Sequence, residues 1–467
     1  MTNSKLTKGL LALSLVVGAA APAWAEESTV QDRKEVALTV YNDNLGLVRE
    51  VRTIKLEKGQ RELQYADVAS GIDPTTVSLR SLSAPQDLKV LEQNYEYDLL
   101  TPDKLLEKYI GKDVEIHADN TVSKATLLST NDGQIYRIGD KIYLQPPGKV
   151  VLPQVPANLV ARPTLKWLLQ NDRATGEQQT ETSYLTRGLS WRSDYVLVVS
   201  EDQGKSNLNG WVTLDNQSGA SYDNAKLTLV AGDVNRVRPQ PTYMEDRMRA
   251  MKAEAPSDQF AERALFEYHS YQLNRATTLK DRQTKQVSLL SAADIPTRKV
   301  YRFEAPSAPI WIQTRDRTSQ KVNVYLEMTN SKQDKLGMPL PKGVVRIYQQ
   351  DADKRLQFVG EDSIDHTPRD EKLKFKAGQA FDLVGERKQT SYKVLGDRLV
   401  ESSYEIELRN RKDQPVTILA TEKLGGDWTI TQASQGYSKL DAGTVEFGVQ
   451  VPARSVTKVT YTVRTKY

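Results

Sequence analysis

Apolar residues recur at every second position through most of this chain, and that period constrains the fold more than any motif does. "VALTV" at 36–40 and "LVREVRTIKL" at 47–56 read as strands with one apolar face and the charges on the other. "SWRSDYVLVV" puts Trp191, Tyr195, Leu197 and Val199 on one face, with Arg192 and Asp194 opposite. "TKVTYTVRTKY" does the same with Val459, Tyr461, Val463 and Tyr467. In an extended strand successive side chains point to opposite faces, so this pattern implies sheets with one wet face each. The 467 residues are too many for one core, and 39% hydrophobic against 27% charged residues leaves only thin ones. The expected fold class is mainly β: several immunoglobulin-like β-sandwich modules, with a small β-barrel or hairpin unit and a short helical insertion.

The first 25 residues read as an export signal peptide. Lys5 and Lys8 precede an apolar run from Gly9 to about Ala21, and Ala23–Ala25 is a small-x-small cleavage site. The mature chain is then expected to start near Glu26, cut after Ala25, in the periplasm or outside the cell. Without the two leader lysines the formal net charge falls from +4 to +2. Charge that small and mixed in sign argues against a nucleic-acid partner. No second long apolar run follows, so no transmembrane segment is expected in the mature chain. An outer-membrane barrel would suit the aromatic at the end of an alternating strand, but the other strands carry no regular lipid-facing band. The chain has no cysteine, which excludes disulfides, thiol catalysis and thiolate metal sites.

Residues 26–110 are expected to form a β domain ending in a helix. In "TPDKLLEKYIGK" Thr101 is the cap, Pro102 the first helical residue, Leu105, Leu106, Tyr109 and Ile110 the apolar stripe, and Gly111 the stop. Residues 111–158 form a small β unit with a hairpin at "NDG" and a proline-rich exit. Residues 159–236 and 277–467 are the two expected sandwich regions. "WVTLDNQSG", "VYLEMTNSKQ" and "YEIELRNRKDQ" repeat one grammar, an alternating strand closed by an asparagine at Asn216, Asn330 and Asn410. Between the sandwich regions, 237–276 is a charged, helix-prone insertion. Its Met244, Met248 and Met251 would share one helix face, a candidate adaptable partner surface.

Long stretches resemble the bacterial domain of unknown function 4139 family, also seen in mucoidy-inhibitor-like proteins. They are "YLTRGLSWRSDYVLVV", "LNGWVTLDNQSGASYDNAKLTLVAGDVNRV", "TTLKDRQTKQVSLLSA" and "FVGEDSIDHTPRDEKLKFKAGQAFDLVGERKQTSY". "VYNDNLGLVREVRTIKLEKG" and "VLEQNYEYDLLTPDKLLEKYIGKDV" resemble its usual upstream region. The resemblance implies an exported, β-rich protein and carries no site residues with it.

Catalytic motifs are incomplete. "GLSWR" around Ser190 lacks the second glycine of a nucleophile elbow and leads into a strand. Ser455–Lys458 matches S-x-x-K without its companion motifs, and "GKS" at 204–206 has no glycine five residues earlier. The histidines are His117, His269 and His366. Glu115 and His117 would share a strand face, but two ligands do not make a metal site. The acidic segment "GEDSIDHTPRDE" at 360–371 offers Asp362, Asp365 and His366 as candidate metal ligands. No cofactor is implied. The expected function is non-enzymatic binding or scaffolding in the cell envelope, with an unknown envelope component or protein as partner. The alternative is a metal-assisted envelope hydrolase built on 360–371.

Overall fold

The computed structural model describes residues 26–96, 100–118, 121–156, 159–201, 203–232, 260–265, 268–305, 311–314 and 318–467. The expected signal peptide and Met244, Met248 and Met251 lie outside these residues. The fold is mainly β, with one α-helix among the described residues. Two compact units emerge: 26–36, 47–186 and 218–220 in the first, 37–46, 187–217 and 221–467 in the second. They depart from the expected boundaries because membership follows strand pairing rather than chain order. Thr164–Asn171 pairs with Gly59–Ala66 and Leu88–Glu96 in the first unit, while Ala37–Tyr41 runs parallel to Lys226–Val230 in the second.

In the first unit a four-stranded sheet runs Glu26–Ser28, Gly59–Ala66, Thr164–Asn171, Leu88–Glu96. It buries Leu63, Tyr65, Leu165, Trp167 and Leu169 at alternate positions. The helix is Pro102–Tyr109, and the Thr101 hydroxyl accepts the Lys104 N–H. Tyr109 packs with Val114, Ile116 and Leu127, whereas Ile110, one residue past the helix, is exposed. The small β unit is an open sheet rather than a barrel. Its outer strands, Lys141–Tyr143 and Lys149–Val151, are only three residues long and pair only inward. The expected hairpin is present: Asp132 and Gly133 both take positive φ between Thr121–Ser129 and Ile135–Ile138.

In the second unit a five-stranded sheet runs Gln283–Pro296, Lys205–Asn216, Leu189–Val199, Gly343–Gln350, Leu356–Ile364. Trp191, Tyr195, Leu197 and Val199 are buried, as their alternation predicts. A nine-stranded sheet follows. Thr444–Val451 and Val456–Lys466 lie far apart in its strand order yet share one core with Phe303, Tyr404 and Ile418, so the sheet bends back on itself. Gly385 is required there, because a Cβ would stand 2.2 Å from the Phe303 ring. The expected insertion is partly sheet: Phe260–Leu265 and Tyr268–Leu273 form a hairpin, and the second strand pairs with Tyr222–Ala231.

The asparagine grammar has a structural meaning. Asn330 is fully buried; its amide donates to Met338 O and Pro368 O, both at 2.8 Å, and its oxygen accepts Gly337 N–H. Asn410 donates to Gln414 O, Val451 O and Pro452 O and accepts Lys412 N–H. Asn216 donates to Lys280 O at 2.9 Å. A fourth case, Asn171, ends the Thr164–Asn171 strand, donates to Glu57 O and accepts from Arg173 and Gln178. Each amide ties the end of its strand to backbone carbonyls of a neighbouring turn or strand.

Candidate functional site

Two clusters of charged residues lie inside the cores. "LVREVRTIKL" does alternate, but not with all its charges outward: Glu50 and Arg52 are 1% and 0% exposed, in register with Val48, Ile54 and Leu56. Glu50 accepts from Arg52 Nη2 at 2.8 Å, Arg33 Nη1 at 3.1 Å and the Tyr65 hydroxyl at 3.2 Å. Arg52 also donates to Ser28 O and Ala66 O and lies 3.5 Å over the Tyr65 ring. Burial pushes the Tyr65 hydroxyl pKa well up, and Glu50 adds to it.

The second unit repeats the device. Arg387 Nε donates to both oxygens of Glu422, at 2.9 and 3.1 Å, and the Tyr461 hydroxyl donates to Glu422 at 2.8 Å. The Arg387 guanidinium lies 3.9 Å over Tyr404, which stacks on Tyr461. Burial pushes the Glu422 carboxyl up, and Arg387 and Tyr461 pull it back. With every carboxylate oxygen receiving a donor, the ionised pair is the form this geometry holds. Neither cluster is open to a substrate: both are enclosed in the cores.

Ser190 lies within the Leu189–Val199 strand, on no strand-to-helix turn. Its neighbour Trp191 is core, with Nε1 donating to Val230 O at 3.2 Å. Ser190→Ala should therefore change stability by less than about 0.5 kcal/mol in urea melts.

The acidic segment begins as a strand. Gly360–Ile364 ends the Leu356–Ile364 strand, so Glu361 and Asp362 point to opposite faces rather than converging as in a binding loop. The Asp362 carboxylate accepts the N–H groups of Ser363 and Lys376, the latter at 2.6 Å. His366 Nδ1 accepts Lys342 N–H, and Asp365 O accepts the Thr367 hydroxyl. Glu115 and His117 do meet, at 2.8 Å, on an exposed strand face. No group of three His, Asp or Glu placed to hold a metal occurs among the described residues. Adding Ca²⁺, Mg²⁺ or Zn²⁺ should shift the melting temperature by less than about 1 °C, since stabilisation by linkage requires affinity for the native state. A larger shift, lost on replacing Asp362, Asp365 and His366 together with Ala, would restore the metal reading.

An open surface lies on the same strand. Leu356–Ile364 is the last strand of its sheet. Its second half is covered: Ala377 O lies 2.5 Å from where a Gly360 Cβ would stand. The first half is open, with Leu356, Phe358 and Val359 exposed by 53%, 59% and 44%. Phe358 packs edge-on against Tyr348 at 5.5 Å, and a bulge opposite Ile347/Tyr348 leaves Val359 without a ladder partner. Val359 also lines a cavity of about 110 Å³ with Val199, Val324, Leu326 and Ile347, and Lys299, Gln203 and Gln349 are its polar lining. Sequence reading missed this surface, although "RLQFVG" carries the signal: three large apolar residues in a strand short of turn residues.

No protein-family model matches the chain, and no curated protein matches it.

Proposed function

We propose that the chain is an exported cell-envelope protein that works by binding or scaffolding, not by turnover. The observation that carries this reading is the open edge at Leu356–Val359. It joins exposed apolar side chains to unpaired backbone groups, the two elements an added partner strand uses. The tripartite N-terminal pattern of basic residues, apolar run and small-x-small site supports export. The resemblance to the domain of unknown function 4139 family adds the same expectation. The partner is an envelope component presenting an extended segment.

Two measurements test the reading. Cells making the full chain should hold it in the periplasmic fraction with Glu26 at its N-terminus; an intact Met1 peptide on that material overturns export. In native-size analysis of envelope extracts the wild type should run in a complex that Phe358→Asp dissolves. A wild-type chain that runs alone, or a complex indifferent to Phe358→Asp, overturns binding at this edge.

A further inference from the structure

The cavity beside the open edge has the chemistry of a site for a small aliphatic carboxylate. Its walls are mostly aliphatic, from Val199, Val324, Leu326 and Ile347, with Gln349 also lining it. At about 110 Å³ it has room for a small branched aliphatic group. One end is cationic. The Lys299 ammonium donates to the Gln203 side-chain oxygen and sits 5.2 Å from the Tyr301 ring centroid. Among the described residues no carboxylate pairs with it. Gln203 itself is held in the left-handed region at φ 61°, its N–H bonded to Ser200 O. A half-buried ammonium facing an aliphatic chamber, with only a neutral acceptor, is complementary to a carboxylate on a short branched chain.

The geometry points to a ligand of that class: a small branched aliphatic group seated between the two sheets, its carboxylate on Lys299. The inference deepens the binding reading and shares Val359 with it. Phe358 does not line the cavity, so Phe358→Asp reports on the edge alone and either idea can fail without the other.

The test uses isovalerate as probe on the full mature chain, with butylammonium as the control of opposite charge. Wild type should bind isovalerate saturably below about 50 mM by ligand-observed NMR, and butylammonium at least tenfold more weakly. Lys299→Met keeps the stem and removes the charge, and should weaken isovalerate at least tenfold. Val359→Trp fills the mouth from an exposed position, avoiding core strain, and should block binding while leaving the melting curve intact. A peptide ending in free valine that binds at least tenfold more tightly than isovalerate identifies a partner's C-terminus as the source. Equal or weaker binding of the peptide identifies the free acid. Absence of saturable isovalerate binding by wild type, or binding unchanged in Lys299→Met, overturns the proposal.

Discussion

Glu422→Ala should destabilise the second unit by about 3–5 kcal/mol, the range found when one partner of a buried ion pair is removed. The substitution leaves Arg387 charged and nearly inaccessible, over the ring of Tyr404, with no anion near it. It also strips the Tyr461 hydroxyl of its acceptor in a core that contains Phe447 and Val463. The companion test is the double variant Glu422→Leu/Arg387→Met. Removing both charges with shape roughly kept should recover most of the loss, because desolvation of the pair offsets most of its attraction. Urea melts of the single and double variants check both statements. A single-variant loss under about 1 kcal/mol would mean that water reaches Arg387 and the core is looser than described. Glu50→Ala in the first unit should behave alike, since Glu50 receives donors from Arg33, Arg52 and Tyr65.

Asn330→Asp should cost about 3–5 kcal/mol, although it changes one nitrogen to oxygen. Met338 O and Pro368 O lose their donor in two part-buried bonds, and a carboxyl at the fully buried position 330 loses its hydration without gaining a donor for it. The two carbonyls then face a carboxylate that can only accept, which adds repulsion. Asn410→Asp and Asn171→Asp should fall in the same direction, because the same amide role recurs there. Asn131→Asp, in the exposed "NDG" turn, is the control and should stay within about 0.5 kcal/mol. Equal effects at Asn131 and Asn330 in thermal or urea melts would reduce the asparagine role to ordinary turn preference.

Strand content was legible because alternation is a local signal. The Leu189–Val199 strand buries Trp191, Tyr195, Leu197 and Val199 as written, and the helix runs from the Thr101 cap. The three closing asparagines were visible as grammar, and Asn171 in "WLLQNDR" escaped only because its strand has two adjacent leucines. Less legible was which charges go inside. Charge was read as a mark of solvent, whereas register decides: Glu50 and Arg52 keep step with Val48 and Ile54, and Glu422 with Ile418 and Ala420. That signal stood in the sequence. Strand order did not, because parallel pairing of Ser193–Val199 with Gly343–Gln349 joins segments about 150 residues apart with no local trace. The candidate surface was half legible for a related reason. Acidic residues after Gly360 suggested metal ligands, but "GEDSI" continues the strand and pairs with Gly343–Ile347, with Asp362 accepting the Lys376 N–H.

Binding at the open edge is most directly measured by placing a photo-activated cross-linking residue at Phe358 and, as control, at Val122, an exposed apolar position elsewhere in the molecule. Irradiation in the intact envelope should yield a discrete cross-linked species from position 358 and none from 122. That species should fall sharply when Val359 is also changed to Asp, while the melting temperature stays within a few degrees. No discrete product from position 358, or the same products from both positions, would contradict the account.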